Sequence, residues 1–127
     1  MAGGLTISTL NDSSGVLATQ NGMSGIAKAW VNYNGSSQTI NGSFNVSSVT
    51  YSSTGQYVVN FTTTMSNTNF AVAVSTNKDN NINDANMRIT TGTDGTVVPT
   101  ATSVPITIFR GDGTAVNPTR VGVVVFK

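Results

Sequence analysis

The chain has 127 residues, with six Lys and Arg against five Asp and no Glu, no His and no Cys. That length suits a single domain over 1–127, able to bury about two-thirds of its unfolded surface without disulfides. A net charge of +1 excludes the clustered basic surface that nucleic acid or an anionic membrane selects, and the missing Cys and His exclude thiolate and imidazole chemistry, catalytic or zinc-binding.

In chain order, LTIST (5–9) is the first expected strand, and GIAKAWVNY (25–33) the second. NGSSQTING (34–42) follows as turn chemistry. VSSVTYS (46–52) and GQYVVNFT (55–62) form an expected β-hairpin around SSTG, with Gly55 taking a positive φ. On its second arm the period of two puts Tyr57, Val59 and Phe61 on one face and Val58 and Asn60 on the other. NFAVAVST (69–76), ANMRITT (85–91), VPITIFR (104–110) and TRVGVVVFK (119–127) complete the strands. NKDNNIND, TGTDGTV and GDGTAVNPT separate them as turns. About eight short strands at this spacing predict an all-β antiparallel sandwich, or a jelly-roll-like knob.

No apolar run is long enough for a transmembrane helix. MAGGLTISTLNDSSG lacks the basic segment and apolar core of a signal peptide, so Sec export is not expected. Between Lys28 and Lys78 there is no charged residue. Polarity there comes from short neutral groups: 20 Thr, 14 Ser and 15 Asn make up 49 of the 127 residues. A surface of that kind depends less on salt and pH than one held soluble by charge.

The candidate sites are few. Asp12, Asp79, Asp84, Asp94 and Asp112 all lie in turn-like segments, where Asp supports local backbone hydrogen bonds; a catalytic pair would need two of them to converge from distant loops. No catalytic residue, cofactor or metal site is expected. NKDNNINDAN (77–86) starts like a calcium loop, with Asp79, Asn81 and Asn83 at alternating positions. It then has Asp84 where the loop needs Gly, and Thr90 where it needs a bidentate Glu. Arg110-Gly111-Asp112 spells an integrin-type tripeptide and reads better as the start of a loop. Asn11, Asn34, Asn41, Asn45 and Asn60 fit the N-glycosylation pattern, as the composition alone makes expected. Trp30, the only Trp, could stack on a sugar, but its place mid-strand favours the core or a subunit interface. Lys28 falls on the same face by alternation, its stem either reaching solvent or pairing at a subunit boundary.

In this order, GIAKAWVNYNG (25–35), SFNVSSVTYSSTGQYVVNFTTTM (43–65), NFAVAVS (69–75), VPITIF (104–109) and VGVVVF (121–126) resemble the C-terminal knob domain of tailed-phage tail-fibre proteins, especially of phages of aquatic bacteria. The likeness spans nearly the whole chain. It implies a homotrimeric, all-β, non-enzymatic viral structural protein on the virion exterior, assembled in the host cytoplasm beside other virion proteins and serving receptor binding and host adhesion. Its shared blocks are scaffold, so recognition is expected in the variable loops: Asn77, Asp79, Asn80, Asn81, Asn83 and Asp84 in one, and Asp94 within 92–103 in another. Lys28, Trp30 and Tyr33 are the expected core or trimer-interface residues. A host-surface glycan or protein is the expected partner. Only MAGG precedes the first strand, where fibre proteins have a long shaft. The expected fibre tip therefore has a capsid-decorating knob of the same fold as its alternative, and a carbohydrate-binding module as a second.

Overall fold

The computed structural model describes residues 3, 26–77, 88–91 and 97–127, with only the backbone described at Arg88, Ile89 and Thr91. Among the described residues there are eight strands: β1 (Ala27–Tyr33), β2 (Ile40–Phe44), β3 (Val46–Ser53), β4 (Gln56–Phe61), β5 (Ala71–Thr76), β6 (Arg88–Thr91), β7 (Ser103–Phe109) and β8 (Val121–Phe126). They pair into two four-stranded sheets, ordered β2-β1-β8-β5 and β3-β4-β7-β6, and every pairing is antiparallel. The expected all-β sandwich is the fold.

Alternation builds the core. Ala29, Val31 and Tyr33 of β1 and Val121, Val123 and Val125 of β8 meet Tyr57, Val59 and Phe61 of β4 and Val104, Ile106 and Ile108 of β7 in one buried cluster. Met65 and Val116, from connecting segments, close it. Tyr57, Val59 and Phe61 are buried, with Val58 and Asn60 on the less buried face, as their spacing predicts. Aromatic rings extend through the interior: Tyr33 stands edge-on to Tyr57 at 5.3 Å, and Phe61 edge-on to Phe70 at 6.1 Å.

The β3–β4 hairpin turns where the sequence places it. Gly55 has φ 74°, and a Cβ there would lie 2.5 Å from the Ile108 carbonyl oxygen, so only glycine fits. Its N–H donates to Asn117 Oδ1 at 2.7 Å, and its carbonyl accepts from the Ile108 N–H at 2.8 Å. Asn117 also takes the Tyr57 hydroxyl at 2.7 Å, a hydroxyl with the Gly35 carbonyl 3.0 Å away as a second acceptor.

β2 departs from the expectation, since NGSSQTING reads as one turn and its last three residues belong to a strand. Asn34 ends the turn early, its Oδ1 accepting from the N–H groups of Ser36 and Ser37 at 2.9 and 3.0 Å. Ile40–Phe44 then pairs with β1. Between β2 and β3 the chain leaves one sheet for the other through a single residue, Asn45, at φ 54°. Its Nδ2 donates to the carbonyls of Lys28 (3.0 Å) and Thr63 (3.2 Å), while its Oδ1 accepts from the Thr63 N–H at 2.7 Å. Asn tolerates this left-handed backbone better than other side-chain-bearing residues, and its amide ties both sheets at the corner. The strand expected over 5–9 lies outside the described residues.

Candidate functional site

The outward face of the first sheet is built from rows that cross β1, β8 and β5. Trp30 lies beside Val124, which lies beside Ala73; one step along, Asn32 faces Gly122, which faces Ser75. On the other side of β1, Phe44 of β2 sits opposite Trp30, and Gly42 opposite Asn32. With no side chain at Gly122, the middle of the second row drops away. A groove of about 390 Å³ results, lined by residues from 30–32, 73–75 and 122–124. Strand spacing sets its two polar walls, Asn32 and Ser75, about 10 Å apart at the backbone.

Trp30 is 41 % exposed at the edge of this groove. The Cη2 and Cζ3 atoms of its indole lie 3.5 Å from where a Gly42 Cβ would be, so the ring reaches over the glycine. Asn41 Nδ2 donates to Asn32 Oδ1 at 3.0 Å, fixing that amide. A Cβ on Gly122 would lie 2.7 Å from Ser75 Oγ, which places the serine hydroxyl over the groove floor. Ile40 and Phe126 are the other large exposed apolar side chains on this sheet. No lining residue carries a charge.

Two expectations at β1 are narrowed: the core alternative fails for Trp30, and the face shared with Trp30 fails for Lys28, which is itself buried. Trp30 is not in the core: Ala29, Val31 and Tyr33 occupy that face, so alternation turns the intervening indole outward. Lys28 does not share its exposure or reach solvent, being only 1 % exposed. The cause is a bulge: Ala27 and Ala29 pair with the adjacent residues Phe126 and Val125, so Lys28 is the extra residue that breaks the alternation. Tyr33 is in the core as expected.

Burial pushes the Tyr33 and Tyr57 hydroxyls well above the ordinary tyrosine range, a neighbouring tyrosine adding to the effect in each case. The Tyr33 hydroxyl has no hydrogen-bond partner among the described residues. Exposed Tyr51 is shifted down instead, mainly by a hydrogen bond with Thr54 and then one with Asn117.

Of the expected recognition residues, only Asn77 is described. It anchors the base of its loop: Oδ1 accepts from the Arg120 N–H at 2.8 Å, and Nδ2 donates to Thr119 Oγ1 at 2.8 Å. Asp79, Asn80, Asn81, Asn83, Asp84 and Asp94 lie outside the described residues. Arg110–Thr114 is a tight turn, closed by bonds from the Arg110 N–H to the Thr114 carbonyl and from the Gly113 N–H to the Arg110 carbonyl. Asp112 accepts from the Thr114 N–H at 2.8 Å, and this contact is the main cause that lowers its carboxyl pKa, with Arg110 adding a smaller effect. Among the described residues no three of His, Cys, Asp and Glu come together, and no helix is long and apolar enough to cross a membrane.

Compared with protein-family models, curated proteins and solved structures, the chain matches none. The groove and its indole are the signals that the sequence understated. Glycine at 122, within an otherwise unbroken valine strand, is the clue that points to them.

Proposed function

We propose that this chain is a non-enzymatic structural and recognition module of a bacteriophage virion, the knob at the tip of a tail fibre, acting as a homotrimer in host adhesion. The observation that carries the reading is the open, uncharged face of the first sheet, with Trp30 at its centre. Exposed aromatic and apolar side chains on a rigid, hydrogen-bonded sheet form a contact surface rather than a reaction centre. The blocks that resemble fibre knobs supply β1, β3, β4, β5, β7 and β8, which supports scaffold and contact roles for them. Edge strand β3, VSSVTYSS, has neither a charge nor a proline to discourage pairing with another chain. That supports association between copies.

The test is immunogold electron microscopy of intact virions with an antibody raised against the chain, together with light-scattering mass of the purified protein. Label at fibre ends and a mass of three chains are expected. Label over the head would replace the fibre tip with a capsid decoration, and unlabelled particles would end the virion reading.

A further inference from the structure

We infer that the groove between Trp30 and Ser75 is a binding site for a neutral saccharide. The inference rests on the adhesion reading and names the receptor chemistry that the module recognises. A pyranose has an apolar C–H face and a rim of hydroxyls, and the groove supplies a partner for each. The indole of Trp30, half exposed and held over Gly42, offers a flat apolar wall for stacking. Beside it, two residues along β1, stands the Asn32 amide, fixed by Asn41, and across on β5 the Ser75 hydroxyl over the glycine floor. Asn supplies both donors and an acceptor, and Ser one donor with two lone pairs, which suits vicinal hydroxyls.

The volume, about 390 Å³, falls in the range of small-ligand sites. Because the lining is uncharged, it offers nothing to offset the desolvation of an acidic sugar, so the ligand is neutral. A second copy of the chain fits less well. It would have to bury Asn32, Asn41 and Ser75 against its own surface, and its bulk has no need of a trough one glycine deep.

The test begins with the full chain on a printed array of neutral and anionic bacterial surface glycans. Calorimetry then measures the neutral hits against the native chain, Trp30→Ala, Trp30→Phe and Gly122→Val. Trp30→Ala removes an exposed ring, and Gly122→Val fills the trough and displaces the Ser75 hydroxyl, which lies 2.7 Å from a Cβ there. Expected results are saturable binding of neutral glycans, a loss of about tenfold or more in Trp30→Ala, partial retention in Trp30→Phe and no binding in Gly122→Val. Since Trp30 is the only tryptophan, its emission in the native chain reports occupancy directly.

An array silent to neutral glycans, or binding that survives both Trp30→Ala and Gly122→Val, overturns the proposal. So does an indole shielded from acrylamide in the assembled protein, which would assign the face to a second copy. Should Gly122→Val not fold, as its melting curve would reveal, Trp30→Ala decides alone. Saccharide binding is read on the isolated chain and virion location on particles, so this proposal and the adhesion reading fail separately.

Discussion

The two sheets share a core but present different outer faces. On the second sheet Asn60 reaches across to β3, its Nδ2 donating to Ser48 Oγ and Thr50 Oγ1, each at 3.0 Å. Neutral polar side chains there satisfy one another in the plane of the sheet. On the first sheet the corresponding positions hold Trp30, Phe44, Ala73 and Val124, which no layer covers among the described residues. Neither the Asn60 cluster nor the groove of the first sheet contains a charged side chain. An uncharged surface therefore need not be uniform: polar side chains satisfy one another on one face, while the other leaves apolar side chains open.

Experiments can break or sharpen that contrast, beginning with the floor that both faces share. Ile106→Ala leaves a cavity between the sheets and should cost about 2–5 kcal/mol, read as a lowered urea midpoint at unchanged slope. Both faces should be lost together. Asn45→Ala removes the amide at the corner and puts alanine at a positive φ, for an expected loss of about 2–3 kcal/mol in the same assay. Asn45→Gly keeps the backbone without the amide and should fall between the two.

The buried tyrosines sharpen the inside of the comparison. Tyr57→Phe removes the hydroxyl that bonds with Asn117 Oδ1 and the Gly35 carbonyl and should cost about 1–2 kcal/mol, whereas Tyr33→Phe removes a hydroxyl without a described partner and should be neutral or stabilising. Equal losses for the two would contradict this. Both hydroxyls have folded pKa values raised above the unfolded one. Their neutral form is thus favoured by folding, a contribution that is complete below about pH 10 and lost as pH rises beyond it. Thermal melts from pH 8 to pH 12 should show stability falling above about pH 10, less steeply in Tyr33→Phe.

The smallest effects belong to the outer faces. Asn60→Ala should cost roughly 0.5–1 kcal/mol through its cross-strand bonds, and Trp30→Ala less than about 0.5 kcal/mol. A Trp30→Ala loss above that of Ile106→Ala would mean that the indole supports the fold rather than a contact.

Seven of the eight described strands, all but β2, were legible in the sequence as short apolar or alternating runs between turn segments. Gly55 was legible as well, because only a turn explains SSTG between two apolar runs. β2 was hidden because INGSF has the composition of a turn and becomes a strand only when β1 supplies its ladder. Of the two roles expected for Trp30, core or subunit interface, the core role fails because Ala29, Trp30 and Val31 are apolar in succession and composition does not say which of them turns outward. Lys28 could not be placed without the bulge, which depends on pairing with β8. The structural amides of Asn45, Asn77 and Asn117 do not stand out among 15 asparagines. What distinguishes them is the carbonyls and N–H groups that folding brings within reach.

The corner at Asn45 also bears on which length changes this fold can absorb. Connections such as Asn34–Thr39 end in turns, where extra residues add contour without moving the strands. Between Phe44 and Val46 there is no slack. One inserted residue would reverse the parity of β3, sending Val46 and Val49 outward and Ser48 and Thr50 into the core. Length can therefore vary in such turns, but the β2–β3 passage from one sheet to the other admits only a single residue.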